Sequence, residues 1–190
     1  MRATLEVHGE VDAHSALGVI RAAEKMGADE LLVSIASSGG GVEGALDVAA
    51  ALEDFPSPTV ALVGASCESA ALLILVACDR RLAYSDSTFL LHAAAAVNQE
   101  RQTADVLQSA YNAVRSADSR MSKALARGTG MPYGKARRLL EREASLTAAD
   151  ALHLRFIDTI VENEAVASAA IRAAFDSLRS PRAAQLGVRR

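Results

Sequence analysis

Residues 59–78 read TVALVGASCESAALLILVAC, and this stretch carries the pattern that decides the fold. Its first five residues, 59–63, are mostly apolar or β-branched, as in a buried strand. The next five, 64–68, are small or polar and predict a turn. Ser69 then starts an apolar, helix-like run that continues to residue 78. A strand, a turn and a helix in direct succession form the first part of a βαβ unit.

The same order of elements recurs on both sides of this stretch. Residues 30–35 predict a buried strand, the sequence SSGGG at 37–41 breaks the chain, and helical spacing resumes over 42–52. Further strands are predicted at 4–7, 81–84, 88–91 and 156–161, and further helices at 13–26, 101–127, 132–143 and 146–152. Strands that alternate with helices favour an α/β fold of repeated βαβ units around a largely parallel sheet.

The length of 190 residues suits one domain. Hydrophobic residues make up 51% of the chain, enough for a buried core, and charged residues make up 23%. We expect the main domain to cover residues 1–163. Residues 164–190 are predicted to form an alanine-rich helix followed by a basic, flexible tail, because Pro181 interrupts the helical pattern.

Composition argues against several classes of function. The net charge of −3 gives no electrostatic basis for binding nucleic acid. The longest apolar run, residues 70–78, is far shorter than the roughly 18 residues that a membrane span needs. Cys67 and Cys78 show no metal-ligand spacing and are interpreted as small buried hydrophobic residues in a reducing compartment. We therefore expect a cytoplasmic protein that uses no metal and no cofactor.

Two residues with catalytic potential follow predicted strands. Ser69 opens a helix after the strand at 59–63, and His92 directly follows the strand at 88–91. Because the carboxyl ends of parallel strands share one edge of a sheet, the two side chains could meet there as nucleophile and base. Ser69 could equally be a helix cap, and His92 a packed or surface residue. The surrounding sequence is not a Gly-x-Ser-x-Gly elbow, so spacing alone leaves both interpretations open.

The order of these pieces resembles the Clp peptidase family, the proteolytic subunits of bacterial Clp proteases. The resemblance runs from about residue 4 to residue 161 and rests on five motifs in the family's order. They are the glycine turn at 37–42, the turn from Gly64 through Ser69 to Ala70, the strand end Leu90-Leu91-His92, the segment from Thr129-Gly130 to Glu141-Arg142-Glu143, and the closing segment at 146–158.

The resemblance implies a fold, an activity and a set of site residues. The fold would be that of Clp peptidases and crotonases, with the helix at 101–127 protruding as a handle between two stacked rings. Ser69 would be the nucleophile, His92 its base and Glu143 the acidic third member of the triad. The backbone N–H groups of Gly40 and Ala70 would form the oxyanion hole. The implied substrates are short or unfolded peptides, cut inside the chamber of a homo-oligomer.

Several departures from the family's pattern bear on these expectations. Glu143 stands where the family has an aspartate, and Glu68 stands directly before the nucleophile. Ser38 replaces a proline in the glycine turn, and residues 93–97 replace a proline- and glycine-rich segment. The chain also begins almost at its first predicted strand, without the family's axial segment. We therefore expect weak or no coupling to a AAA+ ATPase.

Two other functions stay open from sequence. Glu68 and Glu143 would also suit a catalytically inactive Clp-like subunit that serves as a structural or scaffold component. A crotonase-like acyl-CoA enzyme would use the same glycine-turn N–H groups to hold an enolate. A Ser-Lys dyad is disfavoured, since the handle region offers only Lys123 and Lys135.

Overall fold

The computed structural model describes residues 1–95 and 103–179. Within these ranges the strands are β1 (Arg2–Glu10), β2 (Glu30–Gly39), β3 (Thr59–Glu68), β4 (Arg80–Tyr84), β5 (Thr88–Leu90), β6 (Ser145–Thr147) and β7 (Thr159–Val161). The helices are α1 (Ala13–Lys25), α2 (Val42–Glu53), α3 (Ala71–Ala77), α4 (Ala104–Thr129), α5 (Tyr133–Glu141), α6 (Ala148–His153) and α7 (Glu164–Arg179).

The described strands form one sheet in which every pair is parallel except the pair of β5 with β6. Its main path runs β1-β2-β3-β4-β7 with every neighbouring pair parallel. The far end of β3 pairs in parallel with β5, and β6 adds to β5 in the antiparallel direction. The predicted α/β fold of repeated βαβ units is confirmed. The carboxyl ends of β2, β3 and β5 therefore lie side by side, which is where the candidate site forms.

Both faces of the sheet are covered. The larger core cluster packs α1, α2 and α3 against one face, and α3 is buried on all sides. A helix without a polar face can exist in water only inside a protein core, which explains the uninterrupted sequence ALLILVA. The opposite face carries a smaller cluster centred on α7, where Phe175 is fully buried beside Val60, Leu82 and Val161.

Helix α4 is anchored at one end and exposed at the other. Its buried residues all lie in the last third, from Met121 onward, while Val106, Leu107 and Tyr111 near its start are exposed. The anchored end lies so close to α3 that a Cβ on Gly128 would come within 2.5 Å of the Val76 Cβ. The protruding handle helix expected from the resemblance is confirmed.

Some predicted boundaries were wrong. Residues 64–68 were predicted as a turn, but β3 continues to Glu68 because its last residues pair with β5. The helix predicted at 146–152 begins with a strand, β6, which pairs with the same β5. The strand predicted at 156–161 is limited to β7. The predictions made for residues 96–97, 101–102 and 180–190 concern residues outside the described ranges. The domain boundary at residue 163 stays a prediction.

Candidate active site

The glycine turn at the end of β2 lies directly against the turn that carries Ser69. A Cβ built on Gly39 would lie 2.7 Å from the Ser69 Cβ, 2.8 Å from the Glu68 carbonyl oxygen and 3.0 Å from the Ala70 nitrogen. Only glycine leaves room for this approach, and its φ of +92° is one that other residues rarely adopt. Glycine at position 39 is therefore required by the contact with the serine turn.

Ser69 has a backbone conformation that serine seldom adopts. Its φ is +52°, its side chain is nearly buried, and its N–H donates to the carbonyl of Leu90 at 2.7 Å. The residue at the N-cap position of α3 is Ala70, and no side-chain hydrogen bond caps that helix. The helix-cap interpretation of Ser69 is therefore wrong. Left-handed non-glycine residues cost roughly 1–3 kcal/mol and concentrate at functional sites.

His92 lies beside this turn on the neighbouring strand. In the β3–β5 register Glu68 pairs with Leu90, so Ser69 and His92 both lie just beyond the paired ends of adjacent strands. The imidazole is half-buried, and its Nδ1 lies 2.8 Å from the carbonyl oxygen of Ala93. Because a carbonyl can only accept, Nδ1 carries the proton and Nε2 keeps its lone pair. This tautomer is the one that a general base needs.

Glu143 lies on the other side of the same strand. Leu90 pairs with Ser145, and the Leu91 N–H donates to the Ala144 carbonyl at 2.9 Å. Glu143 precedes the paired Ser145 by two residues, and His92 follows the paired Leu90 by two residues, so both lie just beyond the same end of the β5–β6 pairing. Glu143 is exposed and has a φ of +51°.

The way in which α5 ends explains the left-handed conformation of Glu143. The N–H of Glu143 donates to the carbonyl of Leu140, and the N–H of Ala144 donates to the carbonyl of Leu139. This pattern ends a helix with a left-handed residue, usually glycine. Among the described residues, no hydrogen bond joins the side chains of Ser69, His92 and Glu143.

The backbone N–H groups of Gly40 and Ala70 belong to the glycine turn and the serine turn, whose contact is made by Gly39. Within the described residues, neither group donates a hydrogen bond to the protein. The loop before α1 fixes the glycine turn, because the Val11 N–H donates to the Gly39 carbonyl at 2.7 Å. The Ser37 hydroxyl donates to the Gly9 carbonyl at 2.6 Å. Two free N–H groups on a fixed scaffold can stabilise a developing oxyanion.

Comparison with known proteins identifies the family. The Clp protease family model matches residues 3–164, which is most of the chain. The chain belongs to the Clp protease family. Its fold is also similar to a solved structure of a ClpP1 mutant from Listeria monocytogenes, with a TM-score of 0.76 and 18% sequence identity. That similarity covers 86% of this chain and 93% of the other. Among curated proteins, no sequence matches the chain significantly.

Cys67 and Glu68 directly precede Ser69 on β3 and differ in their surroundings. Cys67 is two residues away, but burial raises the pKa of its thiol, so it stays protonated near neutral pH. Glu68 is half-buried and lies on the strand face opposite Cys67.

The described parts of the chain contain no cluster of three or more metal-binding side chains. They also contain no helix with the length and hydropathy to cross a membrane.

One residue of this site was missed in the sequence. Asp118 on α4 accepts the backbone N–H of Ala94 at 2.7 Å, next to the residue that holds His92. It also borders a cleft of about 190 Å³ lined by Ala93, Tyr133 and Arg137. No local motif marks an aspartate in the middle of a long helix. Only the packing of α4 beside the segment after β5 reveals it.

Proposed function

We propose that this chain is the subunit of a serine endopeptidase that cuts short or unfolded peptides, with Ser69 as nucleophile and His92 as general base. The observation that carries the proposal is the position of Ser69. It lies just after a central strand in a left-handed turn, where its side chain caps no helix, and the Gly39 backbone lies directly against it. Membership of the Clp protease family supports the same chemistry.

The proposed reaction begins with the Ser69 hydroxyl. Its Oγ attacks the scissile carbonyl carbon while the His92 Nε2 accepts the hydroxyl proton. The tetrahedral intermediate then collapses, and the imidazolium returns that proton to the leaving amine. The new amino terminus departs and an acyl ester remains on Ser69. Water, deprotonated by His92, attacks the ester and releases the second peptide fragment, which restores the free serine.

The oxyanion would be held by the N–H groups of Gly40 and Ala70. The two turns that contain these groups are held by their close contact and by the hydrogen bond from the Val11 N–H to the Gly39 carbonyl. Donors that are already in place need no reorganisation when charge develops on the carbonyl oxygen. Removing one such donor typically costs about 10²–10³ in rate.

We assign the acidic role of the triad to Glu143. Support comes from the pairing of β5 with β6, which ends two residues before His92 and two residues after Glu143, and the carboxylate would stabilise the imidazolium. The carbonyl of Ala93 lies against Nδ1, so Glu143 would act on the imidazolium through its charge and not through a hydrogen bond to Nδ1. The extra methylene of glutamate over aspartate lengthens the reach of the carboxylate from its left-handed backbone position.

The site of cleavage would be the chamber of a homo-oligomer built from stacked rings. Support comes from the exposed apolar residues on the free end of α4, where Val106, Leu107 and Tyr111 are each about half accessible. A contiguous apolar surface on a protruding helix is typical of a protein interface. Confinement inside a chamber would limit substrates to short or unfolded chains.

A structural subunit without activity is the second candidate. The absence of hydrogen bonds among Ser69, His92 and Glu143 in the described residues favours it, as does the carboxylate of Glu68 next to the nucleophile. Catalytic hydrogen bonds are often long before substrate binds, so this geometry is compatible with activity. Family membership favours the peptidase over the acyl-CoA alternative.

Hydrolysis of peptides tests the proposal. The assembled wild-type protein is incubated with a library of fluorogenic peptides and with unfolded casein, beside Ser69→Ala. We expect cleavage by the wild type and its loss in the variant, with the same oligomeric state for both. Cleavage that survives in Ser69→Ala would overturn the assignment of the nucleophile. No cleavage by a correctly assembled wild type would favour the structural subunit.

A further inference from the structure

A single peptide group connects the candidate base to an aspartate on α4. The carbonyl of Ala93 accepts the Nδ1–H of His92 at 2.8 Å. The N–H of Ala94 donates to the Asp118 Oδ1 at 2.7 Å. These two atoms belong to the same peptide unit, which is planar and trans, so its C=O and N–H point in opposite directions. The peptide thus has the imidazole at one end and the carboxylate at the other.

This series of hydrogen bonds from Asp118 to His92 has an electrostatic consequence. A carboxylate that accepts the N–H polarises the peptide and makes its carbonyl oxygen a stronger acceptor. Hydrogen bonds to a charged group are also roughly twice as strong as neutral ones. The carbonyl of Ala93 is therefore held in place and strengthened by Asp118. It holds the Nδ1–H of His92 in the way that the acid of a triad would.

The anchoring of Asp118 is suited to this role. It is half-buried on α4, one turn before the buried Ser122, whose hydroxyl donates to the Asp118 carbonyl at 2.7 Å. From Met121 onward α4 is fixed in the core. The carboxylate thus lies within one turn of the anchored part of α4, and it can constrain the irregular segment that follows β5.

We propose that Asp118 is a positioning residue for His92, which acts through the 93–94 peptide to fix the tautomer with Nδ1 protonated and Nε2 available to Ser69. This inference rests on the proposed function and extends it. Glu143 is exposed and forms no hydrogen bond to His92 in the described residues, so Asp118 supplies the orientation present in this structure. Asp118 forms no hydrogen bond with Ser69 among the described residues, and its effect on His92 passes through the 93–94 peptide.

The test compares Asp118→Ala, Asp118→Asn and the control Ser119→Ala in the assembled, full-length protein. Asparagine keeps an oxygen acceptor for the Ala94 N–H, whereas alanine removes it. Ser119 borders the same cleft but has no hydrogen bond to the 93–95 segment among the described residues. Circular dichroism and the oligomeric state confirm that each variant folds. The first readout is the rate at which a fluorophosphonate labels the protein. The second is the histidine tautomer from ¹⁵N chemical shifts, with the His92 signal assigned by its loss in His92→Gln.

The expected results differ between the variants. Asp118→Ala should label about tenfold more slowly or worse, because a general base contributes about 10²–10⁴ to the rate and part of this depends on its orientation. Its His92 signal should move to a mixture of tautomers. Asp118→Asn should recover most of the rate and the Nδ1–H signal, and Ser119→Ala should match the wild type.

Two results would overturn the inference. One is an Asp118→Ala protein that labels as fast as the wild type or faster, with His92 unchanged. The other is an equal loss in Asp118→Asn and Asp118→Ala without any change of tautomer, which would indicate a general structural defect. If the wild type itself is not labelled, the proposed function fails. The tautomer measurement then decides the role of Asp118 separately.

Discussion

Gly39 and Ser69 depend on each other through contact. The Gly39 backbone can pack against the Ser69 Cβ because residue 39 has no side chain, and the Ala70 nitrogen after the left-handed Ser69 lies close to the same glycine. Gly41, two residues further on, has a φ of −64° and no neighbour within 4 Å of a built Cβ. The two glycines therefore form a matched pair, one required by the site and the other free to change.

We expect Gly39→Ala to reduce peptide hydrolysis at least about 100-fold, because the new methyl group must displace the serine turn and the oxyanion donor at Ala70. Strain and overpacking should also lower the free energy of unfolding by about 1–3 kcal/mol. Gly41→Ala should change neither quantity appreciably. Peptide hydrolysis and urea unfolding followed by circular dichroism measure both. Equal activity in the two variants would contradict the proposed contact.

The sequence identified the positions of Ser69 and His92 because each follows a strand and matches a family motif. It could not distinguish a nucleophile from a helix cap at Ser69, since the two differ in a backbone angle that the residue type does not determine. The sequence also could not predict the hydrogen bond between the His92 imidazole and the Ala93 carbonyl, or the one from the Ala94 N–H to the Asp118 carboxylate. Both depend on how α4 packs beside the segment after β5, a contact between residues distant in sequence.

Arg81 connects three elements near the C-terminal end of α4. Its guanidinium donates to the Gly128 carbonyl at the end of α4 at 2.8 Å and pairs with Asp158 before β7 at 3.3 Å. Its backbone N–H donates to the same aspartate at 2.9 Å. The side chain is largely buried, so these bonds replace most of its contact with water. Arg80, the preceding residue of β4, makes no side-chain hydrogen bond among the described residues.

We expect Arg81→Met to lower the free energy of unfolding by about 1–3 kcal/mol, since losing the guanidinium leaves the Gly128 carbonyl without its donor and Asp158, among the described residues, with only the backbone N–H of residue 81. Arg80→Met should cost less than about 0.5 kcal/mol, in line with a substitution outside such a network. Urea unfolding of the two variants beside the wild type gives both numbers. Equal losses would show that the network contributes nothing specific.

Strand lengths were harder to predict than strand existence. The buried strand at 59–63 was evident from its apolar residues, yet β3 runs on through Gly64 to Glu68. These residues lack a strand-like pattern because they pair with β5 at the edge where the sheet opens toward the site. Beyond residue 63 the strand partner of β3 changes from β4 to β5. A change of partner leaves no signal in local composition.

At the scale of the whole molecule, the described residues leave an apolar surface exposed on α4. Val106, Leu107 and Tyr111 are exposed on the part of α4 that projects beyond the core. In a ring-forming assembly this surface would be buried between subunits, where each apolar side chain contributes to association.

We expect the double substitution Leu107→Glu and Tyr111→Glu to dissociate the assembly into smaller species while the subunit stays folded. Two charges in a buried interface without partners are strongly unfavourable. Met26→Glu adds a charge at another exposed apolar residue, at the end of α1, and serves as the control. Light scattering coupled to size-exclusion chromatography measures the mass of each. Unchanged assembly in the double variant would exclude this surface from the interface.

The class of fold was predictable because it follows from a pattern that repeats. Alternating buried strands and amphipathic helices permit few arrangements other than a parallel sheet covered on both faces. The position of the site followed in turn from the rule that ligands bind at the carboxyl ends of such strands. The orientation of the site's side chains did not follow, because it depends on hydrogen bonds between distant parts of the chain.

The most direct test of the central claim is to locate the adduct of a fluorophosphonate probe by mass spectrometry. The assembled wild-type protein and the variant His92→Ala are treated with the probe and digested. An activated Ser69 predicts one adduct, on the peptide containing Ser69, and its loss in His92→Ala. A correctly assembled wild type with no adduct on Ser69, or an adduct equally strong without His92, would contradict the account.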